Sequence, residues 1–203
     1  MKPLLVFCAA VLLAAAGHSA HGAPPGAKNA PAPAYHDGDK LAAGAAAPAG
    51  AFKLTPWDAL VPKDWDPMKG IHTLSLLSLQ DGDPRAMKAL ADLKKAWDNA
   101  PSEPSMDNQR IRIAGFVVPL DGEGEQVHEF LLVPYFGACI HSPPPPANQV
   151  IHVTMASPAK GLRMMDAIWV SGQLHTAFSD SGMGTASYRM DGMHVAAYHE
   201  RRR

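Results

Sequence analysis

Apolar and polar residues alternate with a period of two in the second half of the chain. Ile111 and Ile113 alternate with arginines, and the apolar run that follows ends at the turn Asp121-Gly122. This alternation is typical of a strand with one face in a core. Four further segments have strand character: residues 128–135, 150–156, 167–174 and 185–198. Five strands, with glycines in the first and fourth, predict a small, strongly bent OB-like β-barrel over residues 108–203.

A helical period precedes the strand pattern. Asp83 followed by Pro84 is typical of a helix N-cap and of the first helical position. Apolar residues then recur at helical spacing: Ala86, Leu90, Leu93 and Trp97. The spacing predicts an amphipathic helix over residues 84–98 that packs through Trp97. This helix and the extended residues around it form a predicted lead-in over 51–107, so the predicted fold class is mainly β with an N-terminal helical and extended lead-in.

The N-terminus has the parts of a secretory signal peptide. Lys2 supplies a positive charge, residues 4–16 are apolar and uncharged, and small residues follow. We therefore predict a signal peptide over residues 1–22 with cleavage between Gly22 and Ala23. The apolar run is shorter than the about 20 residues of a spanning helix. The sequence thus predicts a periplasmic or secreted protein with no transmembrane span.

The segment between signal and domain is dominated by small residues. Residues 23–50 are rich in alanine, proline and glycine, with almost no large apolar side chain. Such a stretch cannot bury enough surface to offset the entropy of ordering, so it predicts a disordered tether. His36 lies there beside Asp37 and Asp39. A solvated histidine is the more frequent role at such a position, ahead of weak metal capture.

The charge balance argues against nucleic acid as a partner. The chain has 18 Lys+Arg and 19 Asp+Glu, and loss of Lys2 with the signal leaves 17 − 19 = −2. Only 7% of the residues are aromatic. OB domains that bind single strands combine a basic groove with stacking aromatics, so this function is disfavoured. The sequence also lacks the G-x-S-x-G elbow of serine hydrolases and a phosphate-binding glycine loop.

Candidate chemistry centres on Cys139, the one thiol that remains once Cys8 leaves with the signal. His141 lies two residues later and is followed by the four prolines Pro143–Pro146, which favour a stiff polyproline II segment. In extended backbone, residues two apart project to the same side. A soft sulfur beside an imidazole is half of a zinc or copper site. The same pair suits nucleophilic chemistry. In the third interpretation, Cys139 is a small buried residue without a chemical role.

A metal site needs more than one thiolate and one imidazole, and the sequence offers weaker candidates. His152 follows the proline segment on the next predicted strand. His194 lies in a run that also contains Met190 and Met193, whose thioethers would suit Cu(I). Methionines in strands are more often core residues, and a strand histidine more often faces solvent.

The run PYFGACIHSPPPPANQ, with GFVVPLD before it and VSGQL after it, resembles the domain-of-unknown-function family 3299. The resemblance extends over roughly residues 55–198. It implies an exported OB-like domain, and some members are encoded beside metal-uptake or MacB-type ABC transporter components. Zinc or another transition metal is therefore the cofactor that the resemblance implies. It implies no enzymatic activity.

Three functions stay open at this point. The first is an exported, non-enzymatic metal-binding accessory protein of zinc or copper homeostasis, with Cys139 and His141 as ligands. The second is a thiol-dependent enzyme with Cys139 as nucleophile and His141 as base. The third is an envelope interaction module that docks through the proline segment. We favour the first, because a catalytic thiol in an oxidising compartment needs a dedicated reductant, whereas a metal protects its thiolate ligand.

Overall fold

The computed structural model describes residues 34–41, 52–68, 83–121, 126–138 and 144–199. The predicted signal peptide and its cleavage position lie outside these ranges, as do residues 23–33 and 42–50 of the predicted tether. Cys139 and His141 also lie outside them.

Six strands and one α-helix occupy the described part of the chain. The strands are β1 (Lys53–Leu54), β2 (Arg110–Pro119), β3 (Val127–Val133), β4 (Ile151–Ala159), β5 (Ala167–Asp180) and β6 (Thr185–Ala197), and the helix is α1 (Pro84–Asp98). Strands β2 to β6 occupy the positions of the five strands that the alternation predicts. Strand β5 continues six residues past the predicted end at residue 174, because it pairs with β6 as far as Asp180.

The five long strands close into a barrel. Their order is β2-β3-β4-β6-β5, and β5 pairs back onto β2 through contacts such as Ile113 with Val170. Strands β4 and β6 are parallel, with Val153 opposite Met190, while the other barrel pairs are antiparallel. A closed five-stranded barrel with this Greek-key order is the OB architecture. The predicted mainly β, OB-like barrel is therefore confirmed.

Two glycines allow close approach of neighbouring strands. A Cβ on Gly115 of β2 would lie 2.7 Å from Leu132 Cγ. A Cβ on Gly172 of β5 would lie 2.8 Å from Met190 Cγ and would overlap the Asp191 carbonyl oxygen. Real side chains do not tolerate such distances, so the close approach of the neighbouring strands requires glycine at both positions.

The main core lies inside the barrel. On β4, Ile151, Val153 and Met155 are buried, whereas His152 and Thr154 between them are partly exposed. This alternation is the period-two pattern of a strand with one face in a core. Each fully buried aliphatic side chain contributes about 1.5–3 kcal/mol relative to an exposed one, so the barrel interior supplies most of the hydrophobic stabilisation.

Hydrogen bonds attach the lead-in to the barrel. The hydroxyl of fully buried Tyr188 on β6 donates to the Leu60 carbonyl (2.7 Å) and accepts from the Glu103 amide (2.5 Å). Burial raises the pKa of Tyr188 to about 12. The Trp57 indole nitrogen donates to the Ala114 carbonyl on β2 (2.7 Å). The segments before and after α1 therefore contact the barrel through buried polar groups as well as apolar ones.

Helix α1 spans the range that its spacing predicts, but none of its residues is buried. The Asp83 carboxylate accepts from the Arg85 amide (2.8 Å), and its hydrogen bonds with Arg85 hold the pKa of this carboxyl below its usual value. Trp97, which the spacing predicts as the packing residue, is half-buried, and Leu90 is 61% exposed. The helix therefore packs less completely than its pattern predicts. No helix in the described ranges is long and apolar enough to cross a bilayer.

Residues 35–41, which we call the strap, depart from the predicted tether. Tyr35 and Leu41 pack against a second cluster of buried residues, separate from the main core, and Lys40 forms an antiparallel bridge with Tyr135. The prediction of a disordered tether over 23–50 therefore does not hold for these residues. The reason is that Tyr35 and Leu41 are large apolar side chains whose contacts come from distant parts of the chain.

Candidate functional site

The segment that carries Cys139 and His141 begins where β3 leaves the barrel. Neither residue is within the described ranges, so the site is described through its flanks. On the N-terminal flank, the Phe136 amide donates to the Asp39 carbonyl (2.9 Å), and the Gly38 amide donates to the Phe136 carbonyl (2.9 Å). The strap thus satisfies both main-chain groups of Phe136, three residues before Cys139.

Three aromatic rings fix the same flank. The ring of Tyr35 on the strap lies 5.1 Å from that of Phe116 in an edge-to-face arrangement and 6.0 Å from that of Phe136. Phe116 and Phe136 also meet edge to face at 5.6 Å. Such pairs contribute about 0.5–1.5 kcal/mol each beyond their buried area. Phe136 is therefore held between the strap and β2.

Gly137 and Ala138 complete the N-terminal flank. Gly137 has φ +83°, in the left-handed region, and its amide lies 3.4 Å from the Met165 sulfur. A Cβ on Gly137 would lie 2.5 Å from Asp37 Oδ1, so the strap passes in direct contact with this residue. Ala138, the residue before Cys139, is fully buried. This flank is therefore well packed against the strap and Met165.

The C-terminal flank is anchored to the lead-in. Residues 147–149 form a 3₁₀ turn after Pro146, whose φ of −53° and ψ of 146° match the predicted polyproline conformation. Asn148 is fully buried and its Nδ2 donates to the Pro101 carbonyl (3.1 Å), while Gln149 Nε2 donates to the Trp57 carbonyl (3.1 Å). Both amides therefore attach the proline segment to the lead-in.

His152 lies on the outer face of β4 in a polar cluster. Its Nδ1 is 3.2 Å from Ser179 Oγ, and its Nε2 is 3.8 Å from the carboxylate of Glu129. The side chain is 17% exposed, and Nε2 is buried with no hydrogen-bond partner in the described part of the chain. If Nδ1 carries the proton and donates to Ser179, Nε2 presents a lone pair. In that tautomer, Nε2 is the His152 nitrogen that offers a lone pair for coordination.

His194 lies elsewhere on the barrel. It is exposed on β6, opposite Ser171, and its ring is 6.1 Å from that of Phe52. On β6, Arg189 is the residue opposite His152, so His194 lies five positions further along. At about 3.3 Å per residue this is about 16 Å, and the structure does not bring the two histidines together.

The methionines of the same strand do not form a thioether cluster. Met190 points into the barrel core and is 1% exposed, whereas Met193 is 41% exposed. Residues an odd number of positions apart on a strand project to opposite faces. Met190 is therefore a core residue, and its thioether does not lie beside that of Met193 as a copper(I) site in this run would require.

The comparisons with known proteins identify the family. Residues 57–197 match the family described as protein of unknown function (DUF3299). The chain belongs to this family. A crystal structure of a DUF3299 family protein from Pseudomonas aeruginosa PAO1 is 31% identical to it, with a TM-score of 0.56 and coverage of 75% of this chain and 99% of that chain. None of the curated proteins is similar enough to match this chain. The family inferred from the sequence is thus confirmed.

In this DUF3299 member, the described residues do not complete a metal site on their own. Among them, no group of three or more His, Cys, Asp and Glu side chains is arranged to hold an ion.

A groove lies beside both flanks of the candidate site in this DUF3299 member. Its volume is about 190 Å³, and its walls come from the strap, the lead-in and the barrel: Lys40, Leu41, Trp57, Pro134, Gln149 and Trp169. Pockets for drug-sized ligands are usually about 300–1,000 Å³. The groove is therefore small for a drug-sized organic ligand.

The sequence analysis did not predict that the strap lies beside the candidate site. The available signal was the pair Tyr35 and Leu41, the large apolar residues of an otherwise Ala-, Pro- and Gly-rich stretch.

Proposed function

We propose that this chain is an exported, non-enzymatic protein that binds a transition metal, with Cys139 and His141 as ligands and zinc as the preferred ion. In this proposal it serves as an accessory to a metal-transport or ABC transporter component. The family match assigns no activity, so the proposal rests on the donor chemistry and on the flanks of the Cys-x-His segment.

The observation that carries the proposal is the anchoring of both flanks. Ala138 is buried at the end of a segment that the strap holds, and Asn148 is buried at the start of the return to β4. Residues 139–147 connect these fixed points. A short segment between fixed ends loses little entropy when its side chains bind a ligand, which raises the affinity of a two-residue donor pair.

The donor types favour zinc. A thiolate and an imidazole are zinc ligands, and a bound metal protects a thiolate from oxidation outside the cytoplasm. Copper(I) would be favoured by thioethers, but Met190 points into the core and Met193 to the surface. The methionine run therefore gives no support for copper.

His152 is the third candidate ligand. Its contact with Ser179 would fix the ring and leave Nε2 as the coordinating nitrogen, in the manner of hydrogen-bonded ligand histidines. Glu129 lies 3.8 Å from that nitrogen and would add negative charge beside an ion. His194 is not included, because it lies about 16 Å further along the barrel.

Metal analysis of site variants tests the proposal. The chain is purified without an affinity tag, its zinc content is measured, and zinc affinity is determined by competition with a chromophoric chelator. We expect stoichiometric zinc in the parent, loss of zinc in Cys139→Ser and in His141→Ala, and weaker binding in His152→Ala. A matched control is His175→Ala, since His175 is paired with Asp191 at 3.1 Å and should retain parental zinc.

Two results would contradict the proposal. The first is a parent that holds no zinc, and the second is equal zinc in the parent and in Cys139→Ser. In either case, the pH dependence of Cys139 alkylation examines the enzymatic alternative. A rate that rises only near the pKa of about 8.5 of a free thiol would argue against an activated nucleophile as well.

A further inference from the structure

Two arginines of β2 lie on the outer face of the barrel. Arg110 and Arg112 alternate with Ile111 and Ile113, whose side chains are fully buried in the core. Because successive residues of a strand project to opposite faces, both arginines project outward. At about 3.4 Å per residue, their Cα atoms lie about 7 Å apart.

An aromatic ring packs against each guanidinium group. Arg110 Cζ lies 4.7 Å from the centre of the Phe52 ring, and Arg112 Cζ lies 4.9 Å from the centre of the Trp169 ring. Phe52 directly precedes β1, and Trp169 belongs to β5. A guanidinium group that is already held against a ring loses less entropy when its N–H groups bind a ligand.

Neither guanidinium group has a carboxylate partner in the described part of the chain, where the ion pairs join other residues. Asp191 on β6 lies in the same row of the sheet as Arg110. Its carboxylate is 3.1 Å from His175 Nε2 and thus contacts another side chain. Two positioned cations without a counter-charge attract anionic groups.

An extended acidic peptide matches the spacing of these cations. In extended backbone, residues two apart project to the same side and lie about 7 Å apart. A carboxylate can accept two parallel hydrogen bonds from one guanidinium group. Nucleic-acid strands are bound by stacking bases on exposed rings, but here the guanidinium groups lie against the rings of Phe52 and Trp169. Anionic membranes attract clusters of about four to eight basic residues, and this surface presents two.

We propose that the outer face of β2 is a docking surface for an extended acidic segment of a partner protein. Arg110 and Arg112 each bind one of two carboxylates that are two residues apart in that segment. Phe52 and Trp169 are positioning residues that act through the arginines. The surface contains none of the candidate metal ligands, so it does not rest on the proposed function.

Fluorescence anisotropy of labelled peptides with the full chain tests this surface. The probe is a peptide in which Asp alternates with Thr, and it is compared with a peptide of the same composition whose Asp residues are adjacent. We expect tighter binding of the alternating peptide, and about tenfold weaker binding in Arg110→Gln and in Arg112→Gln. Arg163→Gln removes the same charge from an exposed position between β4 and β5 and is the matched control.

Two further variants separate positioned recognition from net charge. Arg112→Lys keeps the charge but cannot form the two parallel hydrogen bonds, so we expect several-fold weaker binding. Phe52→Leu keeps Arg110 but removes its ring, so we expect about two- to fivefold weaker binding. Melting temperatures of all variants verify that they are folded before their affinities are compared.

Four results would each overturn the proposal. The parent does not bind the alternating peptide, or it binds both peptides equally. The double variant Arg110→Gln/Arg112→Gln binds as the parent does. A labelled single-stranded oligonucleotide binds more tightly than the peptide and depends on the same two arginines.

Discussion

The buried hydroxyl of Tyr188 makes the stability of this protein depend on pH in the alkaline range. The side chain is fully buried on β6, where the hydroxyl donates to the Leu60 carbonyl and accepts from the Glu103 amide. Because burial penalises the phenolate, the pKa of Tyr188 is raised from its ordinary value of 10.0 to about 12. Ionisation of Tyr188 at high pH therefore disrupts this buried contact between the lead-in and the barrel.

The sign and size of the effect follow from linkage. The unfolded chain loses the Tyr188 proton near pH 10, whereas the folded chain keeps it up to about pH 12. The stabilisation is therefore fully present below pH 10 and is lost as the pH rises to about 12. At about 1.4 kcal/mol per pKa unit, the difference between about 12 and 10 corresponds to a limit of about 3 kcal/mol, which is reached above pH 12.

Urea unfolding of the parent and of Tyr188→Phe at several pH values measures this quantity. At pH 8 we expect the variant to be less stable by about 1–3 kcal/mol, because the Leu60 carbonyl and the Glu103 amide lose their partner. Between pH 9 and pH 12 the stability of the parent should fall by about 2 kcal/mol relative to that of the variant. Other alkaline titrations affect both chains alike and cancel in the difference.

A core variant without a titrating group is the control. Phe130→Leu alters a fully buried ring, and its stability difference from the parent should be the same at pH 9 and pH 12. A gap between parent and Tyr188→Phe that stays constant over this range would refute the reasoning. It would mean that the folded chain ionises Tyr188 as readily as the unfolded chain does.

Two further substitutions probe how the barrel is closed. The Asp121 carboxylate accepts hydrogen bonds from the amides of His128 (3.0 Å) and Glu129 (2.7 Å). Asp121→Ala should therefore lower the free energy of unfolding by about 1–3 kcal/mol. An unchanged midpoint of urea unfolding would contradict this role. Gly172→Ala would push a Cβ against the Asp191 carbonyl, so we expect it to lower the free energy of unfolding by about 1–3 kcal/mol or more. A melting temperature equal to that of the parent would show that β5 and β6 can move apart at this position without cost.

The barrel was predictable because its signals are local. Alternation around Ile111 and Ile113, the turn at Asp121 and the cap at Asp83 each depend on a few neighbouring residues, and the corresponding strand and helix are present. The end of β5 was less predictable. Its last residues include exposed Phe178 and Asp180, which no longer alternate, and only pairing with β6 keeps them in strand conformation.

The candidate site was predictable only in part. The sequence singled out Cys139 and His141 from residue type and spacing, and this remains a prediction that chemistry has to test. The separation of His152 from His194 and the burial of Met190 depend on strand register, which the sequence alone does not specify.

The amino-acid sequence by itself determined the family, the strand and helix pattern and the donor types of the candidate site, since these depend on short-range order along the chain. Only the tertiary structure decided that the strap packs beside the Cys-x-His segment. Tyr35 contacts Phe116 and Phe136, about 80 and 100 positions away. The stabilisation of an ordered strap comes from those distant rings, whereas its own composition favours disorder.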